Sequence, residues 1–216
     1  MSSDRLYVEH RHGIREPLIA LTFDDGPSDW TDPILDHLAA RGARATFFVV
    51  GAAINGRERE RTLRRTVECA SEVANHTYTH RQLPALDDGE IRDEIGRTNE
   101  VIEQVTSAAP RYWRAPHFRS DDRVRKVISE LGLREVRSSI FTGDYKWPAA
   151  LTAAWVVKHL QPGAIVDLHD GRAPTDGPED GARTREATVE AVRLILAELE
   201  PRGYRCVTVS ELLAAE

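Results

Sequence analysis

The sequence predicts an α/β fold in a single domain, with seven strand–helix units arranged as a TIM-like barrel. Short β-rich segments alternate regularly with longer amphipathic segments, an order that favours parallel strands covered by helices. The 216 residues are 41% hydrophobic and 30% charged, and they show no second compositional zone and no fixed-period repeat. The alternation also fits an open, doubly wound sheet, but seven units within one zone favour a barrel.

The predicted strands are short runs of aliphatic, aromatic and β-branched residues. The first is LIALTF at 18–23 and the second is ATFFVV at 45–50. The remaining five are 72–75, 111–114, 134–140, 164–168 and 204–209.

Amphipathic segments follow these strands. The longest, 88–105, places Ile91, Ile95 and Ile102 close to one helical stripe. A short final helix is predicted to begin at Ser210, a suitable N-cap residue. The other predicted helices are 32–41, 57–69, 121–131, 151–160 and 186–199.

The predicted domain spans 18–216, and it is preceded by an N-terminal segment, 1–17. One stretch inside the domain, DGRAPTDGPEDG at 170–181, is rich in Gly, Pro and Asp. Its composition predicts a mobile loop.

Charge and the N-terminus limit the partners. The net charge of −6 and the pI near 5.8 provide no basic footprint, so neither nucleic acid nor an anionic membrane surface is an expected partner. The first nine residues carry charges where a signal peptide needs an apolar core, which predicts a cytoplasmic protein. A leader that had been removed would leave the same sequence. The oligomeric state stays open.

Unusual polar clusters follow the carboxyl ends of five predicted strands. In barrel folds the residues at this rim converge on the active site. The clusters are 24–25 (Asp-Asp), 76–80 (His-Thr-Tyr-Thr-His), 114–117 (Arg-Ala-Pro-His), Asp144 and 169–170 (His-Asp).

The first two clusters predict a metal site. Adjacent carboxylates repel each other when buried, and a cation relieves that repulsion. His76 and His80 would lie on one face if their segment formed a helical turn, a spacing that suits one transition-metal ion. Each motif alone also fits a solvated turn or a chance pair. Together Asp25, His76 and His80 form a two-histidine, one-carboxylate set, which leaves coordination positions open for water and substrate.

The order of the motifs resembles that of a known family. TFDDGP, HTYTH, RAP, GDY and LHD occur in the sequence of the polysaccharide deacetylases of carbohydrate esterase family 4, the NodB homology domain. The resemblance spans about 18–213. It implies a distorted (β/α)7 barrel that removes acetyl groups from N-acetylated sugars. It also implies a divalent metal, zinc first, with cobalt, nickel or manganese as alternatives.

The resemblance implies a role for each matching residue. Asp24 would be the catalytic base, His169 the general acid, and Asp25, His76 and His80 the metal ligands. Arg114 would orient the base, Asp144 would tune the acid, and Leu168 would line the pocket for the acetyl methyl group.

The chemistry is coherent on its own. A metal ion polarises an amide carbonyl and acidifies water. Asp24 can accept the proton of the attacking water. The leaving amine needs a proton, and His169 can supply one near neutral pH.

Two motifs depart from the family pattern, and both concern substrate contacts. After Arg114 and Pro116, His117 replaces an aromatic residue; it could contact a charged substrate, add a metal ligand or lie in a surface loop. After Asp144, Tyr145 replaces tryptophan, with Trp147 two residues later. Pro116, His117, Tyr145 and Trp147 are therefore predicted substrate-binding residues.

Four functions follow from these residues. The first is an N-deacetylase of an amino sugar or glycan. The second is a deacylase of a small intracellular N-acyl metabolite, and the third is an O-acetyl esterase. The fourth is a glycan-binding relative without catalysis, which the retention of Asp24 and His169 argues against. The absence of a GxSxG elbow and of a Gly-rich phosphate loop disfavours serine hydrolases and dinucleotide enzymes.

Overall fold

The computed structural model describes residues 7–175, 177 and 184–215. Within them, eight strands and seven α-helices alternate along the chain. The strands are β1 (Tyr7–Val8), β2 (Leu18–Asp24), β3 (Ala45–Val49), β4 (Glu72–Asn75), β5 (Tyr112–Trp113), β6 (Arg134–Val136), β7 (Ile165–His169) and β8 (Arg205–Cys206). The helices are α1 (Thr31–Ala39), α2 (Gly56–Glu68), α3 (Asp88–Thr106), α4 (Asp122–Ser129), α5 (Ala149–Lys158), α6 (Glu186–Leu199) and α7 (Val209–Ala214).

The strands form one curled parallel sheet, in the order β1-β6-β5-β4-β3-β2-β7, with β8 paired to β2. A parallel bridge between Ile140 and Val166 joins the segment after β6 to β7 and so curls the sheet toward closure. The predicted single-domain α/β fold of barrel type is confirmed. The N-terminal segment, 1–17, supplies an additional strand, since β1 pairs with β6.

Strand β2 lies at the centre of the molecule, and all seven of its residues are buried. Its side chains alternate between two sides, as in any strand. Ile19, Leu21 and Phe23 pack in the core beneath the helices, and Phe23 stacks on Phe47 with ring centroids 4.9 Å apart. Ala20 packs in a second core inside the curled sheet. Burial on both sides fixes β2, and with it the position of Asp24 at its end.

The N-cap of the last helix lies two residues earlier than predicted. Thr208, not Ser210, caps α7, because its hydroxyl accepts from the Glu211 amide and the Glu211 carboxylate accepts from the Thr208 amide. Ser210 instead donates its hydroxyl to Glu72. The predicted mobile loop lies partly outside the described residues, which exclude 176 and 178–183. Among the helices that are described, none combines the length and hydrophobicity needed to cross a bilayer.

Candidate active site

A pocket of about 390 Å³ opens at the carboxyl ends of the strands. The ends of β2 and β7 and the loops after β4, β5 and β6 contribute most of its walls. The lining residues are Asp24, Asp25, His76, His80, His117, Phe118, Phe141, Thr142, Tyr145, Lys146, Asp167, His169 and Arg185.

One side of the pocket brings Asp25, His76 and His80 together. Oδ1 of Asp25 lies 3.5 Å from Nε2 of His76 and 3.3 Å from Nε2 of His80. All three side chains are buried, and the three potential ligand atoms lie within 4.8 Å of one another. Asp25 Oδ1 has no hydrogen-bond partner among the described residues. A buried carboxylate oxygen without a partner is costly, and a cation between it and the imidazoles would stabilise it.

The hydrogen bonds of the two imidazoles involve Nδ1 and leave Nε2 of each ring available to bind a metal ion. Nδ1 of His76 lies 2.9 Å from the Arg114 carbonyl oxygen, which only accepts, so in the neutral imidazole this nitrogen carries the proton and Nε2 holds the lone pair. Nδ1 of His80 lies 2.9 Å from the Thr175 hydroxyl. Burial and the neighbouring His76 lower the pKa of His80 to about 3, so its imidazole is neutral. The donor set therefore fits a divalent transition-metal ion.

The two histidines come together without a helical turn between them. Thr77 and His80 adopt the left-handed conformation, with φ of 67° and 62°, so 76–80 forms an irregular loop. Two buried polar side chains hold this loop. Asn75 accepts from the Thr77 amide at 2.8 Å, and its own amide donates to the Ile95 carbonyl of α3.

The second of these side chains is Glu94, a buried acid on α3. One of its oxygens accepts from the amides of Tyr78 and Thr79 at 2.9 and 2.8 Å, and the other accepts from the Thr79 hydroxyl. Three donors of the loop thus converge on one carboxylate, and charge-assisted hydrogen bonds of this kind are the stronger ones. Glu94 fixes the loop that carries both histidines.

Asp24 lies on the floor of the pocket and is held by Arg114. The guanidinium Nη1 donates to Asp24 Oδ1 at 2.7 Å and to the Thr22 hydroxyl at 2.8 Å. Arg114 is completely buried, with its guanidinium 4.1 Å from the centre of the Phe48 ring. The other oxygen of Asp24, Oδ2, lies toward the Asp25–His76–His80 set, 3.7 Å from Nε2 of His76. The buried guanidinium of Arg114 fixes the orientation of the Asp24 carboxylate.

His169 lies across from Asp24 and is paired with Asp144. Its Nδ1 is 2.9 Å from Asp144 Oδ1, and its backbone amide donates to Asp144 Oδ2 at 2.8 Å. Thr188 of α6 also donates to Oδ2, at 2.6 Å. Burial lowers the pKa of His169, but the Asp144 carboxylate outweighs that effect and holds the pKa well above its ordinary value. His169 is therefore protonated near neutral pH.

Two glycines allow the ends of β2 and β7 to approach. A Cβ on Gly26 would lie 2.2 Å from a carboxylate oxygen of Asp170, and one on Gly171 would lie 2.1 Å from the Asp25 carbonyl. The amides of Asp170 and Gly171 both donate to the Asp24 carbonyl at 3.2 Å. Any side chain at these glycines would separate the Asp24–Asp25 pair from His169.

Asp167 is a site residue that sequence reasoning missed. It is buried, its Oδ1 accepts from Arg114 Nη1 at 3.3 Å, and it lines the pocket beside Asp24. Burial and the Asp24 carboxylate raise the pKa of Asp167. Its position two residues before His169 on one strand was the available signal, because alternate residues share a face.

The substrate-binding predictions divide into two groups. His117 and Tyr145 line the pocket; the His117 ring lies 4.9 Å from that of His80, and the Tyr145 ring lies 5.0 Å from that of His169. Three other predicted residues, Pro116, Trp147 and Leu168, are not among the lining residues.

Packing explains the placement of these three. Leu168 alternates with Asp167 and His169, so it faces away from the pocket and packs beneath the helices. The Trp147 indole lies over Gly143 and meets Trp155 edge-on. Pro116 is buried at the start of a 3-10 turn. The lining residues Phe118, Phe141, Lys146 and Arg185 were not predicted, since none belongs to a motif.

Comparison with known proteins places this geometry in a family. The family model described as "Polysaccharide deacetylase" matches residues 12–136. A chitooligosaccharide deacetylase from Sinorhizobium fredii is 35% identical over 205 residues, which cover 93% of this chain and 94% of that protein. A peptidoglycan-N-acetylglucosamine deacetylase from Bacillus cereus is 30% identical over 196 residues, which cover 90% of this chain and 67% of that protein.

Solved structures agree. The Bc1960 peptidoglycan N-acetylglucosamine deacetylase superimposes with a TM-score of 0.87 at 26% identity, covering 98% of this chain and 94% of that one. A pseudoenzyme of carbohydrate esterase family 4 from Bacillus anthracis superimposes with a TM-score of 0.83 at 26% identity, covering 96% and 68%. This chain therefore belongs to the polysaccharide deacetylases of carbohydrate esterase family 4, a family of metal-dependent hydrolases that act on carbon–nitrogen bonds.

Proposed function

We propose that the protein is a metal-dependent N-deacetylase of an N-acetylated amino sugar or its oligomer. The observation that supports this most strongly is the convergence, in one pocket, of the Asp25–His76–His80 set with Asp24 and His169 on either side of the pocket floor. The similar fold of a pseudoenzyme means that the fold alone does not decide activity. The residue set carries the argument.

The metal we propose is zinc, bound by Asp25, His76 and His80. A two-histidine, one-carboxylate set suits zinc, and it also accepts cobalt, nickel or manganese. The ion would supply Lewis-acid polarisation of the acyl carbonyl and would increase the acidity of water beside it.

Asp24 and His169 divide the proton transfers. Asp24 uses Oδ1 for Arg114, so Oδ2 is the atom that accepts the proton of the attacking water. His169 engages Asp144 through Nδ1, so its other ring nitrogen donates a proton to the departing amine. Because the amine leaves as a neutral molecule, the C–N bond can break without expelling an amide anion.

Aromatic residues at the mouth suit a sugar ring. Phe141 is 48% exposed and meets Phe118 edge-on at 4.9 Å, and Tyr145 borders His169. Apolar ring faces of this kind stack on the C–H face of a sugar. The relatives named for chitooligosaccharide and peptidoglycan N-acetylglucosamine support N-acetylglucosamine units as the first substrates to test.

The test is acetate release from a series of N-acetylglucosamine oligomers, from monomer to hexamer, by the zinc-loaded protein. We expect turnover that chelation abolishes and zinc restores. Asp24→Asn should lower kcat by about 10²–10⁴-fold while zinc content stays at one per chain, because the base is not a ligand. Lack of turnover on every oligomer by the zinc-loaded protein would contradict the proposal. Turnover of the monomer alone would favour the small-metabolite version.

A glycan-binding role without catalysis is the second candidate, favoured by the pseudoenzyme neighbour. It predicts that the unmodified protein binds oligomers without releasing acetate. The complete Asp24–Arg114 and Asp144–His169 pairs argue against it, since a binding protein has no use for an oriented base and acid.

A further inference from the structure

Asp167 lies on the floor of the pocket directly below the base and the acid. Strands β2 and β7 are paired so that Asp24 faces His169 and, two residues deeper, Thr22 faces Asp167. Because alternate residues of β7 share a side, Asp167 and His169 both point into the pocket. Carboxylate oxygens of Asp24 and Asp167 and a ring nitrogen of His169 lie within 4.8 Å of one another.

The Asp167 carboxyl has one oxygen engaged and one open. Only 4% of the residue is exposed, and Oδ1 accepts from Arg114 at 3.3 Å. Oδ2 forms no hydrogen bond with the described residues. It is not fully buried, so a small molecule in the pocket can reach it. Asp167 lines the pocket beside Asp24 and His169, which leaves Oδ2 as the oxygen available to a group bound between them.

The acyl group of a substrate faces this space. In the proposed deacylase, Asp24 activates water on one side of the scissile C–N bond and His169 protonates the nitrogen on the other. The acyl carbon therefore lies between these two residues, and the substituent it carries extends toward the floor. A plain methyl group there would leave Oδ2 of a buried carboxyl without water and without a partner, which is unfavourable.

We propose that Asp167 determines acyl specificity and selects an N-acyl group with a hydroxyl on its α-carbon, a hydroxyacetyl group, over acetyl or longer alkyl chains. This inference rests on the proposed deacylase function and specifies its substrate. A hydroxyl both donates and accepts, so it pairs with Oδ2 in either protonation state of the carboxyl. The raised pKa of Asp167 adds a proton that the hydroxyl oxygen can accept.

The experiment compares three N-acyl glucosamines or their short oligomers: acetyl, hydroxyacetyl and propionyl. Hydroxyacetyl and propionyl have the same number of heavy atoms, so their ratio isolates the hydroxyl from size. We expect kcat/KM for hydroxyacetyl to exceed that for propionyl by at least about tenfold, because a site that hydrogen-bonds a hydroxyl discriminates strongly against an analogue that lacks it.

Two variants test the role of the carboxyl. Asp167→Leu should bring the hydroxyacetyl-to-propionyl ratio close to one, whatever happens to the absolute rates. Asp167→Asn keeps the shape and the hydrogen-bonding capacity, so it should retain most of the preference. Equal losses on all three substrates in Asp167→Leu, with an unchanged ratio, would assign Asp167 to the support of Arg114 and overturn the proposal.

A binding measurement gives an independent readout. Hydroxyacetate and propionate are titrated into the metal-free protein and followed by ligand-observed NMR. We expect tighter binding of hydroxyacetate to the unmodified protein and no preference in Asp167→Leu. No turnover of any N-acyl sugar would defeat the proposed function. Turnover of acetyl and propionyl substrates at least as efficient as that of hydroxyacetyl would defeat only this inference.

Discussion

Asp144 holds His169 through two contacts, one with Nδ1 of the imidazole and one with the backbone amide. Its negative charge stabilises the imidazolium, and Thr188 and Thr142 hold the carboxylate in turn. Burial alone would lower the pKa of His169, so the carboxylate is the main reason that this partly buried histidine keeps its proton.

This arrangement predicts the effect of Asp144→Asn on the pH profile. A general acid must be protonated, so kcat/KM falls as the pH rises through the pKa of His169. Loss of the carboxylate charge lowers that pKa, and the alkaline limb of the profile should move to lower pH by about one unit or more. Thr188→Val is the matched control, because it removes a hydrogen bond but keeps the charge. An unmoved limb in Asp144→Asn would show that His169 is not the titrating acid.

Residue types predicted the site better than residue positions did. The residue types of Asp25, His76 and His80 mark them as candidate metal ligands, and the structure brings their side chains together. Leu168 and Asp167 are neighbours on β7, but Asp167 faces the pocket and Leu168 faces the core. Only the register of β7, which the sequence does not state, decides between them.

At the level of elements, α3 supports the loop of the two histidines through Glu94. Glu94→Ala removes the acceptor of three loop donors, and the loop includes two non-glycine residues with positive φ that need such support. We expect zinc affinity, measured by competition with a chromogenic chelator, to fall about 10- to 100-fold. Glu103→Ala, an exposed change on the same helix, should leave it unchanged. Equal affinities in the two variants would contradict this account.

The hydrophobic periodicity predicted the position of α3 but not its role in supporting the loop of the two histidines. Ile91, Ile95 and Ile102 mark the buried stripe, and Glu94 falls within that stripe as an acid that a hydrophobic pattern ignores. Two of its three donors are backbone amides 15 and 16 residues away along the chain, and no side-chain pattern marks backbone groups. Residue type marked the irregular loop only in part: histidine is enriched in the left-handed conformation, whereas a β-branched residue such as Thr77 rarely adopts it.

For the molecule as a whole, metal binding should raise the thermal stability of the fold. A ligand that binds only the folded state adds about 2.7 kcal/mol when present at 100 times its dissociation constant. For a chain of this length that corresponds to a rise in Tm of roughly 5–10 °C. We expect zinc to raise Tm by this amount in the unmodified protein and not in His80→Ala, as measured by calorimetry. An equal rise in both would place the zinc elsewhere.

The fold was predictable because each strand–helix unit carries its own pattern. All seven predicted strands exist, and all seven predicted helices begin within two residues of their predicted starts. Strand β1 was not predicted, since two residues are too few to show alternation and their pairing with β6 joins positions more than 120 residues apart. The bridge between Ile140 and Val166 also joins two segments that are separated along the chain, though by far fewer residues.

The pairing of β2 with β7 has a consequence for synthesis on the ribosome. The three proposed ligands lie within the first 80 residues, whereas the proposed acid is His169. The proposed ligands therefore emerge first, and β2 lacks its β7 neighbour until the chain has been translated through residue 169. A nascent chain would contain the proposed ligands well before it contained the proposed acid, so hydrolysis requires synthesis through at least His169.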